Sequence, residues 1–383
     1  MEEVAVIIVG AGPSGIATSA CLNRLEIPNI VLEREGCCGS LWKKRAYDRL
    51  KLHIPKQYCE LPYMSYPSNA PTFVPRNGFI AYLDEYLSHF GVTPRFNRSV
   101  GLAFYDVDAG KWRLEVTNVC SHVKEVYVAQ FLVVATGENA EGVIPDIPGL
   151  GGFAGEYMHA SQFSNGREYR GKDVLVVGCG NSGMEISYDL CQSNARTSIV
   201  NRSPVHVVTK EMVSLAMILL KFLSVTSVDT ILAKLCKLRF DDLSEYGIQR
   251  PEEGPFYLKK TQGRSPTIDV GCVDRIKEGK IKVFPSMANI QGKKIEFTNG
   301  ESNQFDVIIF ATGYRSTVGR WLKGGEELFD DNGFPKQDLV NKWKGSNGLY
   351  CVGFARNGLL AISSDAKNVS QDISTLILNC QNC

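Results

Sequence analysis

A chain of 383 residues exceeds the size at which one hydrophobic core keeps growing, so two packed units are expected, and a hydrophobic content of 44% is ample to fill them. The balance of 42 Lys and Arg against 41 Asp and Glu excludes the strong positive field of a nucleic-acid or anionic-membrane binder and points to a small-molecule partner. Twelve cysteines scattered through so long a chain read as reduced packing thiols of an intracellular protein, not as the disulfide framework of a small secreted one.

The amino terminus, MEEVAVIIVGAGPSG, carries two acids where a secretory signal carries positive charge, and its apolar run leads straight into a glycine turn. Residues 4–9 therefore predict a buried strand, Gly10-Ala11-Gly12-Pro13-Ser14-Gly15 a turn, and residues 16–25 a helix. Asn29–Leu32 predicts a second strand that ends at Glu33 and closes a βαβ unit of the length a nucleotide-binding fold requires. A further apolar run stops at Ala135-Thr136-Gly137, and the Pro/Gly-rich residues 142–155 read as a crossover between domains.

The same grammar then returns. Asp173–Val177 predicts a strand, Gly178-Cys179-Gly180-Asn181-Ser182-Gly183 a turn, residues 184–191 a helix and residues 197–200 the next strand. Residues 213–235 are apolar, but Lys221, Asp229 and Lys234 interrupt them before about 20 apolar residues accumulate, so a buried or amphipathic helical pair is expected there and no transmembrane segment. Turn-rich residues 299–304 suggest the second crossover, followed by apolar runs that stop at Gly313 and Gly353. The fold class is α/β: two Rossmann-like dinucleotide-binding domains, the second inserted into the first. The expected boundaries are 1–150 for the first part of one domain, 151–300 for the inserted domain with its linker and helices, and 301–383 for the remainder of the first.

In a G-x-G-x-x-G turn the first glycine permits the bend, the second lets the backbone approach a pyrophosphate, and the third allows close contact between helix and strand. The helix N-terminus then offers free N–H groups to the phosphates. In the first instance Glu33 is placed to accept hydrogen bonds from ribose hydroxyls, with a solvated surface acid as the alternative. In the second instance the matching position falls in Val200-Asn201-Arg202-Ser203, which holds a base and no acid. Arg202 and Ser203 suit a ribose carrying a 2′-phosphate, which favours NADPH over NADH, with an ordinary surface arginine as the alternative. Two nucleotide sites imply hydride transfer between two redox cofactors, and a flavin is the natural partner: FAD on the first turn, NADPH on the second.

Phe153-Ala154-Gly155-Glu156-Tyr157-Met158-His159-Ala160-Ser161-Gln162-Phe163 satisfies F-x-G-x-x-x-H-x-x-x-[FY] and lies just before the second glycine turn. With it the sequence resembles the class B flavin monooxygenases, and among them the plant YUCCA subfamily. The likeness extends over Cys38-Gly39-Ser40-Leu41-Trp42, residues 47–56, Cys59-Glu60-Leu61-Pro62, residues 135–140, residues 310–314 and residues 348–357. It departs from the pattern at Cys38, where paired glycines are usual, at residues 75–78 and at residues 265–269. At His53 many relatives outside plants have an asparagine.

The resemblance implies oxidative decarboxylation of indole-3-pyruvate to indole-3-acetate, a step of auxin biosynthesis, with FAD, NADPH and oxygen. It implies that the flavin carries the chemistry, so that no side-chain nucleophile and no metal are needed. Leu41, Trp42 and His53 are then expected beside the flavin, and Asn181 on the nicotinamide side, each with core packing as its alternative. His159 is expected to orient the domains near the NADP site without acting as a general base, or to be structural. Other readings stay open: an N- or S-oxygenase of small molecules, and a flavin disulfide reductase, for which Cys380-Gln381-Asn382-Cys383 is the available redox pair. A cytoplasmic location is expected, with attachment to the surface of the endoplasmic reticulum and the oligomeric state left open.

Overall fold

Val6, Ile7 and Ile8 have no exposed surface because the strand that carries them, Glu2–Val9, lies between two parallel neighbours, Asn29–Leu32 and Lys124–Val134. The computed structural model, which describes residues 1–337 and 339–381, divides into two compact units, and this sheet organises the first: residues 1–44, 55–141 and 314–383. Lys124–Val134 serves two roles along its length. Its first half pairs antiparallel with Lys111–Asn118, which pairs in turn with Arg98–Asp106, while its last residues take Leu349–Cys351 as a parallel partner. Its burial changes accordingly, from alternating to continuous at Phe131, as a strand does on entering a parallel sheet covered on both faces. Helix Leu359–Gln381 presents Ile362, Ala366, Val369 and Ile373 as one buried stripe at helical spacing and packs on helix Pro13–Arg24.

The second unit comprises residues 45–54 and 142–313. Its five strands are all parallel, in the order Ile281–Phe284, Arg196–Val200, Asp173–Val177, Val307–Phe310, Glu156–His159. Alternate residues of Asp173–Val177 feed two cores: Val174 and Val176 face one that includes Met184, Ile199 and Ile309, whereas Leu175 and Val177 face one built around the stacked rings of Phe284 and Phe297, 4.1 Å apart. A three-stranded antiparallel sheet, Met287–Gln291, Lys294–Phe297 and Ser302–Gln304, flanks the second core. Residues 213–235 form the helical pair expected of them, Lys210–Leu219 and Val225–Phe240. The carboxylate of Asp229, which interrupts that apolar run, accepts hydrogen bonds from the backbone N–H groups of Phe256 and Tyr257 and so caps helix Pro255–Gln262.

The observed division differs from the expected boundaries in two places. Val307–Phe310 completes the second unit's sheet, so the chain leaves that unit after Gly313 and not near residue 300; Ser302–Gln304 is an edge strand and not a crossover. Residues 45–54 also belong to the second unit, because Tyr47, Leu50 and Ile54 pack into its core. Among the described residues ten cysteines are free thiols and no helix is long and apolar enough to cross a membrane. Cys383, and with it the terminal C-x-x-C, lies outside the described residues.

Candidate functional site

The two glycine turns are superposable in their local logic. Gly10 has φ +109° and Gly178 φ +115°, values that L side chains rarely adopt, and a Cβ at either would stand 2.5 Å from a carbonyl oxygen of the adjoining segment, Ala135 in the first unit and Ala311 in the second. Gly15 and Gly183 admit no Cβ either, since it would collide with the carbonyl oxygen of Gly10 or Gly178. Gly12 and Gly180 are different. Both have ordinary extended backbone, both cap a helix without a side-chain hydrogen bond, and nothing lies within 4 Å of the place a Cβ would occupy. Each helix therefore opens on free N–H groups and unfilled space, which is the form a pyrophosphate requires.

Around the first turn the groups are acceptors. Glu33, 7% exposed, accepts hydrogen bonds from the N–H groups of Ala11 (2.7 Å, to Oε2) and Glu35 (2.9 Å, to Oε1), leaving each oxygen a further lone pair. Burial pushes its carboxyl above the usual range in spite of those two N–H groups. Gly39 N–H donates to the Ala11 carbonyl, which ties the short helix Ser40–Lys44, with Leu41 and Trp42, to the turn. The Trp42 ring meets Phe79 edge-on, and Arg76 holds the Trp42 and Lys43 carbonyls. Gly353, whose Cβ would collide with the Ser14 hydroxyl, brings Asp365 to the same end of the sheet: its N–H lies 3.5 Å from the Asp365 carboxylate. The Thr136 hydroxyl, beside the Gly10 turn, is buried without a partner among the described residues.

Around the second turn they are cations and fixed amides. Arg202 and Ser203 follow strand Arg196–Val200, both exposed, and Arg202 makes no ion pair among the described residues. Asn181 uses its Oδ1 to accept from Ile268 N–H (2.7 Å), and Thr267 donates its hydroxyl to the Cys179 carbonyl (3.0 Å). Sequence reasoning did not single out Glu185, an acid on the turn's own helix that is only 3% exposed. It accepts from the Tyr47 hydroxyl (2.5 Å) and lies 3.7 Å from Nε2 of His53, an ion-pair distance and not a hydrogen bond. Its mid-helix place between buried Met184 and Ile186 was the available signal. His53 belongs to the second unit, as does Asn181, while Leu41 and Trp42 belong to the first.

His159 has a definite role in the second unit. The Gly313 carbonyl, 3.0 Å from Nε2, only accepts, so Nε2 carries the hydrogen and Nδ1 accepts from Ser161. Burial holds its pKa below the usual histidine value, and the ring fills the space a Cβ at Gly142 would need. It therefore packs where the unit's chain enters, at Gly142, and leaves, at Gly313.

Comparison with known proteins bears on these paired turns. A family model described as flavin-binding monooxygenase-like matches residues 3–319. The chain belongs to that family. It is 48% identical over 381 residues to a probable indole-3-pyruvate monooxygenase of Arabidopsis thaliana, YUCCA10, covering 99% of this chain and all of the relative. It is 47% identical over 372 residues to the indole-3-pyruvate monooxygenase YUCCA1 of Oryza sativa subsp. japonica, covering 96% and 90%. Among solved structures it is similar to a flavin-containing monooxygenase from Stenotrophomonas maltophilia, with a TM-score of 0.73, 18% identity and coverage of 98% and 100%. The last likeness shows the fold. In a flavin-binding monooxygenase-like protein two cradles of this form are accounted for, and the residues around them fit two dinucleotides: acceptors for hydroxyls at one, an unpaired guanidinium for an extra phosphate at the other.

Proposed function

We propose that this flavin monooxygenase converts indole-3-pyruvate, NADPH, a proton and oxygen to indole-3-acetate, carbon dioxide, water and NADP+. The observation that carries the reading is the pair of unfilled glycine cradles in a chain nearly half identical, end to end, to relatives named for that reaction. We assign FAD to Gly10, Ala11, Gly12, Pro13, Ser14, Gly15 and Glu33, with Leu41 and Trp42 beside it. We assign NADPH to Gly178, Cys179, Gly180, Asn181, Ser182, Gly183, Arg202 and Ser203. When bound, the flavin supplies hydride acceptance and oxygen activation, which no side chain of the chain offers.

The chain's own residues bind and orient. The helix N-termini at Gly12 and Gly180 take the two pyrophosphates, the spare lone pairs of Glu33 take ribose hydroxyls, and Arg202 takes the 2′-phosphate. Asn181, its Oδ1 fixed by Ile268, keeps its amide N–H groups for the nicotinamide end. We also assign His53 a place beside the flavin. Ten free thiols among the described residues suit a reducing compartment, and the proposal places the protein in the cytoplasm.

The test is aerobic NADPH oxidation by the purified flavoprotein with indole-3-pyruvate, counting carbon dioxide and indole-3-acetate together. Equal amounts of the two, matching the NADPH consumed, are expected. An N- or S-oxygenase would return an oxide that retains every carbon, and no carbon dioxide.

A further inference from the structure

Glu185 is a buried carboxylate that the reading above does not use. Three elements face it. The segment 45–54 brings Tyr47 and His53, with Arg49 and Lys51 close by; its own helix brings Ser182, which hydrogen-bonds Tyr47, while Tyr188 and Asp189 further along meet Arg49; helix Lys210–Leu219 brings Lys210, with Glu211 beside it. Burial pushes the Glu185 carboxyl up, but His53, Tyr47 and Lys210 together hold it below the usual range, so it is ionised. Burial pushes the Lys210 ammonium down, Lys51 and Arg49 add to that, and Glu185 opposes it. One carboxylate thus meets the Tyr47 hydroxyl, the His53 ring and the Lys210 ammonium.

A buried ion of this kind adds little stability that a well-packed apolar side chain would not. What it does add is direction. With Nε2 of His53 turned to the carboxylate, the other ring nitrogen, Nδ1, is turned away from it, on a side chain still 29% exposed. We propose that Glu185 is a positioning residue: through His53 and Tyr47 it fixes segment 45–54 on the helix of the second glycine turn and presents Nδ1 of His53 to the reacting ligands. The proposal deepens the monooxygenase reading and rests on it for what the ligands are, but the device itself is a property of the chain.

Two measurements test it. The first is a double-mutant cycle of Glu185→Gln and His53→Gln on the FAD-loaded enzyme. Glu185→Gln lowers kcat about tenfold while FAD content and KM for NADPH stay within about twofold, and the double variant is no slower than His53→Gln alone. Glu185→Asp, which keeps the charge, loses less. Unchanged kcat in Glu185→Gln, or losses that multiply in the double variant, overturn the proposal; if Glu185→Gln does not fold, the Glu185→Asp and His53→Gln cycle is read in the same way.

The second is nitrogen NMR of histidine-labelled protein, which needs no turnover. His53 carries its hydrogen on Nε2 in the parent chain and becomes a tautomer mixture in Glu185→Gln. An Nδ1–H tautomer in the parent overturns the proposal. Parent enzyme that leaves NADPH untouched while its spectrum behaves as described sinks the monooxygenase reading and leaves the positioning intact.

Discussion

The two glycine turns share a skeleton and differ in their surroundings. In each, the first glycine's N–H donates to the last part of the next strand, Leu32 or Val200, and the residue after the adjoining strand donates back, Ala135 to Val9 or Ala311 to Val177. Beyond that frame the first turn has a buried acid, Glu33, and a half-buried one, Asp365, and the second has an exposed cation, Arg202, and a buried carboxylate, Glu185, that faces Tyr47, His53 and Lys210. Backbone geometry holds what two dinucleotides have in common, their pyrophosphates, and side chains one strand away hold what distinguishes them.

The largest effects should come from the shared frame. Gly15→Ala and Gly183→Ala each press a methyl group into a carbonyl oxygen, in positions where backbone cannot yield cheaply, and are expected to cost about 3 kcal/mol or more and to leave little soluble protein. The middle glycines separate frame from ligand. At Gly12 and Gly180 an added Cβ meets no protein atom and φ is ordinary, so Gly12→Glu and Gly180→Glu should both fold with near-parent melting temperatures as apoproteins. Gly12→Glu should purify without flavin, while Gly180→Glu stays yellow and fails to oxidise NADPH. Exchange of those two phenotypes would reverse the cofactor assignment.

Much of this frame was legible in the sequence because it is local. Strand, glycine turn, helix and second strand are contiguous, and the identity of each glycine follows from the bend it must make. What was not legible is which sheet an apolar run joins. Val307–Phe310 is buried on all four residues, a pattern that announces a parallel sheet and is silent about its neighbours. Segment 45–54 hides its membership in the same way: Tyr47, Leu50 and Ile54 read as apolar anchors, but the core that receives them is built by residues more than a hundred positions later. The omission of Glu185 has that origin, since its contacts with Tyr47 and His53 exist only once the segment has joined the second unit.

The distinguishing side chains give the next effect. Arg202 faces solvent without a partner, so reversing it disturbs no packing, and Arg202→Glu should lower the preference for NADPH over NADH by roughly tenfold to a hundredfold, as loss of a charge-assisted hydrogen bond of about 1.5–3 kcal/mol requires. The ratio of the two kcat/KM values measures it. An unchanged ratio would remove Arg202 as the 2′-phosphate's partner.

The smallest effect is the response to acid, and here the two units should differ in sign. Burial raises the Asp365 carboxyl from 3.8 to about 6, against the opposing N–H of Gly353. The folded apoprotein therefore binds this proton more tightly than the unfolded chain, and stability at this group rises as pH falls from about 6 towards 3.8. Above about 6 the folded state carries the full cost of the buried charge. Glu185 is held below its unfolded value of 4.5, so its contribution is present above that pH and is lost as pH falls through the folded value.

Asp365→Asn, nearly isosteric, should stabilise the apoprotein at neutral pH, by about 3 kcal/mol at most, seen as a higher melting temperature, and flatten its pH dependence between 6 and 3.8. Glu33 is shifted in the same direction and keeps some slope in that variant. Glu185→Gln should instead remove acid lability below 4.5 and leave the higher window untouched. Thermal melts of the three apoproteins across that range check both statements at once; matching slopes would mean that the acids of the two units do not differ in the way their surroundings require.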